Sequence, residues 1–175
     1  MARNVEIKAR LRDPETVRRL AESMADRPAQ RLFQEDTFYR TGSVRLKLRV
    51  FPDGRGELIS YDRPDATGPT ESTYSIYRTD DPGSLHEVLA SALGIRGVVR
   101  KNRDLLTIGQ TRVHLDEVAD LGSFLELEVV LREDQTQEEG AIIAEEILAK
   151  LGVRAEDTVA CAYIDLLDRN SDRAW

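Results

Sequence analysis

The sequence predicts an antiparallel β-barrel of about eight strands, flanked by helices, with a charged lumen open at its ends. Three observations carry this. Short runs of alternating apolar and polar residues recur along the chain. The connections at 51–57 and 109–111 are too short for the crossover that a parallel pair needs. The polar faces of the strands are built from Arg, Lys, Glu and Asp rather than Ser, Thr and Gln, and are sorted by sign from strand to strand.

Taken in order, residues 4–12 alternate Val5, Ile7, Ala9 and Leu11 against Asn4, Glu6, Lys8 and Arg10, which is a strand. Asp13 suits an N-cap and Pro14 the first helical position; Val17, Leu20, Ala21 and Met24 give that helix one apolar face before Pro28. A strand follows at 31–39 and a turn at 41–43. Across 44–51, Leu46, Leu48 and Val50 oppose Arg45, Lys47 and Arg49, and the turn 52–56 leads to a return strand at 57–63 with Tyr61 and Arg63 on one face. Residues 64–70 read as a loop, 71–78 as a strand and 81–93 as a helix closed by Gly94. Strands are predicted at 98–103, 105–108, 111–117 and 124–132. In them Val99, Lys101 and Arg103 share a face, Arg112, His114 and Asp116 oppose Val113 and Leu115, and Glu126 and Glu128 oppose Leu125, Leu127, Val129 and Leu131. A helix from about 136 to 151 ends at Gly152, and 158–168 reads as a last helix. With no repeat, low-complexity tract or linker, 1–169 is read as a single domain and 170–175 as a frayed tail.

Composition narrows the function. Across 175 residues, 41% hydrophobic and 33% charged content places the chain among globular proteins. No apolar run approaches the roughly 18–20 residues of a membrane span, so no membrane partner is expected. The start, 1–6, has no apolar signal region, which predicts a cytoplasmic location. Cys161 is the only cysteine, excluding disulfide scaffolds and Cys-rich zinc sites. A net charge of −7 argues against a nucleic-acid partner. A Walker loop, a Rossmann glycine cradle and a Ser/His/Asp triad are not apparent.

If helices cover the apolar faces, the sheet closes with its charges inside. The interior then gathers Lys8, Arg10, Arg45, Lys47, Arg49, Arg63, Lys101 and Arg103 beside Glu6, Asp116, Glu126 and Glu128. Confining so many cations is costly unless a polyanion normally occupies the space. Clustered carboxylates suit hard divalent cations, so a polyphosphate with Mg²⁺ meets both needs.

These residues also resemble a family. Glu6-x-Lys8 resembles the end of the ExExK signature of the CYTH superfamily, the triphosphate tunnel metalloenzymes, which include class IV adenylate cyclases, thiamine triphosphatases and inorganic triphosphatases. Arg45-x-Lys47-x-Arg49, Arg63-Pro64 and Val99-x-Lys101-x-Arg103 resemble its basic strands in order. His114-Leu-Asp116 with the Leu121-Gly-Ser-Phe-Leu-Glu126-Leu-Glu128 run resembles its acidic hairpin, and 162–167 its C-terminal Ser-Tyr-x-x-Leu-Leu stretch. The hairpin looks closer to the class IV cyclase branch than to mammalian thiamine triphosphatases.

The resemblance implies Glu6, Asp116, Glu126 and Glu128 as ligands of Mg²⁺ or Mn²⁺. It implies Lys8, Arg45, Lys47, Arg49, Arg63, Lys101 and Arg103 as the grip on a triphosphate, with Lys8, Lys101 and Arg103 catalytic. Arg10 is expected at the barrel rim and His114 as a hydrogen-bonded structural residue rather than a base or ligand; Tyr39 and Tyr163 fit packing and substrate contact equally, and His86 and Cys161 receive no function. Two departures stand out: Asn4 replaces the first Glu of ExExK, and Ala162 replaces the Ser before Tyr163. The implied reaction is conversion of ATP to cyclic AMP and pyrophosphate. The alternatives are hydrolysis of inorganic, nucleoside or thiamine triphosphate, and a module that binds polyphosphate or nucleotide without turnover. An RNA 5′-triphosphatase is disfavoured by the acidic charge, and a homodimer is one assembly the cyclase likeness allows.

Overall fold

The computed structural model describes residues 3–62 and 68–172. Eight strands, β1 (Arg3–Arg10), β2 (Gln30–Tyr39), β3 (Arg45–Val50), β4 (Gly56–Asp62), β5 (Thr70–Thr79), β6 (Ile95–Ile108), β7 (Thr111–Val118) and β8 (Gly122–Val130), close into a barrel in the order β1-β5-β4-β3-β2-β6-β7-β8. All neighbouring pairs are antiparallel, and β1 seals the ring by pairing with both β5 and β8. Four α-helices, α1 (Pro14–Met24), α2 (Pro82–Leu93), α3 (Gln137–Lys150) and α4 (Tyr163–Asp172), pack outside or across an end.

The alternation of each strand decides which side faces out. Val5 and Ile7 of β1, Val113 and Leu115 of β7, and Leu125, Leu127 and Val129 of β8 form a buried layer beneath Val17 and Ala21 of α1 and Ala144, Ile147 and Leu148 of α3. A second cluster joins Phe38, Val99, Val118 and Phe124 to Tyr163 and Ile164 of α4. The helices start where their caps dictate. The Asp13 side chain accepts from Thr16 N and that of Asp81 from Ser84 N, each followed by proline; Thr136 and Glu139 form a reciprocal capping box.

Two segments differ from the sequence expectation. The strands predicted at 98–103 and 105–108 are one strand, β6. Asp104, the apparent break, points outward, and ion pairs with Arg18 and Arg31 let a carboxylate stay within the ladder. The last helix begins at Tyr163, not 158, and runs to Asp172. Thr158 bridges Ala9 and Val159 N donates to Lys8 O (2.8 Å), so this β-branched stretch lies extended along β1. Arg63, with Pro64, lies outside the described residues. Among the described residues no helix is long and apolar enough to cross a membrane.

The fit of α3 on β1 is tight enough to test. A Cβ on Gly140 would come within 2.7 Å of Val5 Cγ2 and 2.6 Å of Leu131 Cδ2, and Val5 is fully buried. Alanine gains about 0.5–1 kcal/mol of helix preference over glycine, but overpacking costs about 1–3 kcal/mol. Gly140→Ala should therefore lower stability by about 1 kcal/mol, measured as a shifted urea midpoint with an unchanged slope.

Candidate active site

Side chains from all eight strands line a cavity of about 390 Å³ within the barrel, in the range of small-molecule sites. Of the residues singled out in the sequence, Glu6, Lys8, Arg45, Lys47, Arg49, Lys101, Arg103, Glu126 and Glu128 line it, and His114 and Tyr163 join them. Arg10 is exposed, donating to Leu121 O (3.3 Å) with its guanidinium 4.8 Å from the centre of the Phe124 ring. Tyr39 points away from the lumen, and its hydroxyl meets His86 Nδ1 at 2.9 Å. Asp116 is not part of the lumen lining.

Asp116 instead sits behind the wall with its side chain fully enclosed. It accepts both prongs of Arg103 (2.6 and 2.7 Å) and the Tyr163 hydroxyl (2.8 Å), with Lys101 Nζ at 3.9 Å. Its oxygens therefore serve the cations rather than the cavity. Burial alone would raise its pKa, but Arg103 and Lys101 bring the carboxyl down to about 2. Lys101 is pushed the other way: burial, then the repulsion of Arg103, lowers it to about 7. The Tyr163 ring lies under both lysines, 4.1 Å from Lys8 Nζ and 5.1 Å from Lys101 Nζ, and holds them by cation–π attraction.

A second carboxylate, missed in the sequence, does the same work two strands further round the ring. Asp36, 1% exposed, accepts from Lys47 Nζ (2.8 Å) and from both prongs of Arg49 (2.7 and 2.8 Å). Burial opposes its ionisation, yet Lys47 and Arg49 hold it well below the usual carboxylate range. Asp165 of α4 accepts from Arg45 (3.1 Å) on the lumen side and from Arg96 (2.5 Å) on the other. The lumen cations are thus matched by buried carboxylates, where strand parity alone left them uncompensated.

The acidic side of the lumen lies on β7 and β8. Ligand atoms of His114, Glu126 and Glu128 all fall within 4.8 Å of one another, which suits a divalent cation held by oxygen and nitrogen. Glu126 stays ionised: burial opposes this, but Arg103, His114 and Lys8 hold it well below the ordinary range. Glu6 lies across the ladder from Glu128. Asn4 lines the lumen as well. With its nitrogen donating to Arg3 O (3.1 Å), its oxygen accepts from Arg112 (3.3 Å), and Arg112 also pairs with Glu128 (2.8 Å). A guanidinium therefore occupies this corner.

The strand order puts β4 four places from β7 around the ring of eight, hence across the lumen from His114. Here the wall carries an apolar stretch, Ile59 and Tyr61 of β4 with Tyr74 and Ile76 of β5, alongside Glu57, Ser72 and Arg78. The cavity thus has a cationic lining, an acidic cluster and an aromatic–aliphatic wall facing that cluster. Against protein families, residues 2–163 match the CYTH domain. The chain belongs to the CYTH family. CYTH triphosphate tunnel enzymes are metal-dependent and bind triphosphate substrates.

Solved structures share this CYTH barrel. The PH1012 protein from Pyrococcus horikoshii OT3 superposes with a TM-score of 0.85 at 25% identity, over 93% of this chain and 98% of that one. A candidate adenylate cyclase from Vibrio parahaemolyticus gives 0.74 at 19% identity, over 94% of this chain and 97% of that one. A candidate adenylyl cyclase from Hippeastrum, described as having a dominant triphosphatase activity, gives 0.67 at 17% identity, over 95% and 96%. At these last two identities the likeness is one of fold. No curated protein matches the chain in sequence.

Asp116→Asn should cost about 3–5 kcal/mol, because Arg103 and Lys101 stay buried without their carboxylate. The Asp116 carboxyl lies at about 2 against its ordinary 3.8. Its contribution is therefore complete above the ordinary value and lost as the pH falls towards 2. Urea titrations across that window should show the wild type losing stability more steeply with acid than the variant does.

Proposed function

We propose that this CYTH protein is a divalent-metal-dependent enzyme that binds a nucleoside triphosphate in its barrel and cyclises ATP to cyclic AMP and pyrophosphate, with Mg²⁺ or Mn²⁺. The carrying observation is the three-part lumen: buried cations, a His–carboxylate cluster, and an apolar wall facing that cluster. The cations suit phosphate oxygens, Arg45, Arg49 and Arg103 by their forks and Lys8, Lys47 and Lys101 as point charges. Their backing carboxylates fix them before substrate arrives, so little reorganisation opposes charge build-up in the reaction. Glu126, Glu128 and His114, with Glu6 nearby, would hold the metal, which neutralises charge on the phosphate oxygens. Ile59, Tyr61, Tyr74 and Ile76 offer a ring-bearing substrate a surface that bare tripolyphosphate has no use for.

Cyclisation is favoured over hydrolysis by the corner held by Asn4 and Arg112. A guanidinium and a neutral amide disfavour a second metal there, and a second metal is one good source of an activated water. Attack by the ribose 3′-hydroxyl on the α-phosphate needs no such water. Hydrolysis of a triphosphate is the second reading. It is supported by the cationic lining, which suits tripolyphosphate without any base contact, and by the shared fold of the Hippeastrum protein.

Product analysis separates the two. Incubation with ATP and Mg²⁺ or Mn²⁺ should yield cyclic AMP and pyrophosphate; ADP with orthophosphate, or faster cleavage of tripolyphosphate, would establish hydrolysis. Asn4→Glu returns a carboxylate to the corner beside Arg112, and should move the product ratio towards hydrolysis in the same chromatographic assay.

A further inference from the structure

We propose that His114 is a nitrogen donor to the bound divalent ion, and that it makes this site prefer Mn²⁺ and Co²⁺ to Mg²⁺. The inference rests on the metal-dependent reading above and adds a ligand type and a selectivity to it. The His114 side chain is 5% exposed and faces the lumen between the two carboxylates of β8. Its Nδ1 lies 3.3 Å from Glu126 Oε1. An ionised carboxylate can only accept, so the ring proton belongs on Nδ1, donated to Glu126. Nε2 then turns its lone pair towards Glu128 Oε2, 3.9 Å away.

Two acceptors facing each other across such a gap repel unless a cation lies between them. An ion with bonds of ~2.1 Å to each donor joins atoms up to ~4.2 Å apart, so the observed separation suits one shared ion. The Glu126–His114 contact has the form of the carboxylate that fixes the tautomer of a ligating imidazole and raises its basicity. The surrounding cations serve the carboxylates, not the imidazole nitrogen: Arg112 Nε pairs with that same Glu128 Oε2 (2.8 Å), leaving the oxygen a further lone pair, while Arg103 and Lys8 reach Glu126 at 3.3 and 3.6 Å. Mg²⁺ favours oxygen ligands and gains little from imidazole, whereas affinity for nitrogen donors rises along the first transition row from Mn²⁺ to Co²⁺. A proton on Nε2 would resolve the same contact without any metal, and the test distinguishes the two.

Electron spin-echo measurements on the Mn²⁺-loaded wild-type chain, without triphosphate, should reveal coupling to an imidazole nitrogen. Calorimetric titrations should rank Mg²⁺ below Mn²⁺ and Mn²⁺ below Co²⁺. In His114→Asn, folded by circular dichroism, affinity for Mn²⁺ and Co²⁺ should fall about tenfold or more while that for Mg²⁺ barely changes. Absence of nitrogen coupling in the wild type overturns the proposal without recourse to a variant. An equal loss for all three ions, or no binding of Mn²⁺, overturns it as well. Thermal stabilisation by tripolyphosphate alone, measured in parallel, depends on the basic wall. If it persists while the nitrogen test fails, the triphosphate reading stands and only the histidine assignment falls.

Discussion

Burying guanidinium and ammonium groups inside a closed barrel is possible here because carboxylates stand beside them. Asp116 under Arg103 and Lys101, Asp36 under Lys47 and Arg49, and Asp165 under Arg45 turn repelling cations into pairs. Each pair is worth little net stability once desolvation is counted, and its loss on one side is costly. The arrangement spends that cost on geometry. The carboxylates grip the donors from one side, Asp36 within the lining and Asp116 and Asp165 outside it, so the cations are held in place. The Tyr163 ring adds an apolar seat that keeps two lysines close without neutralising them.

This pairing explains how an acidic chain can present a basic cavity. The net charge of −7 is a property of the whole surface, while the lumen sees only what the inward-facing positions contribute. Opposite the acidic cluster the same alternation delivers isoleucine and tyrosine, so one β period gives the cavity a polar side and an apolar side.

Much of this was legible in strand parity. β1, β3, β7 and β8 each have one apolar and one charged face, so placing the apolar faces under helices put Lys8, Arg45, Arg49, Glu126 and Glu128 inside. β2 hid its contribution because acids occupy adjacent positions: Glu35 pairs outward with Arg100 while Asp36 turns inward, and alternation alone does not rank them. Asp104 gave a false break in β6, since its partners Arg18 and Arg31 come from distant elements. Asp116 shares parity with His114, so the sequence put it in the cavity; only the geometry reveals that Arg103 and Tyr163 have claimed its oxygens. For His114 the telling feature is a second acceptor across a gap, which no spacing in the sequence encodes.

The contact between Lys8 and Tyr163 also bears on how the molecule comes into being. It joins the first strand to the last helix, and β1 cannot close the ring until β8 has been made. Contacts so far apart in the chain form late and slowly, because the loop between them must close first. On the ribosome, where N-terminal segments emerge first, a chain that stops short of Tyr163 has all the described lumen cations but neither the aromatic seat nor the hydroxyl that completes the Asp116 cluster. The geometry of the lumen is thus completed only with the closing residues of the domain.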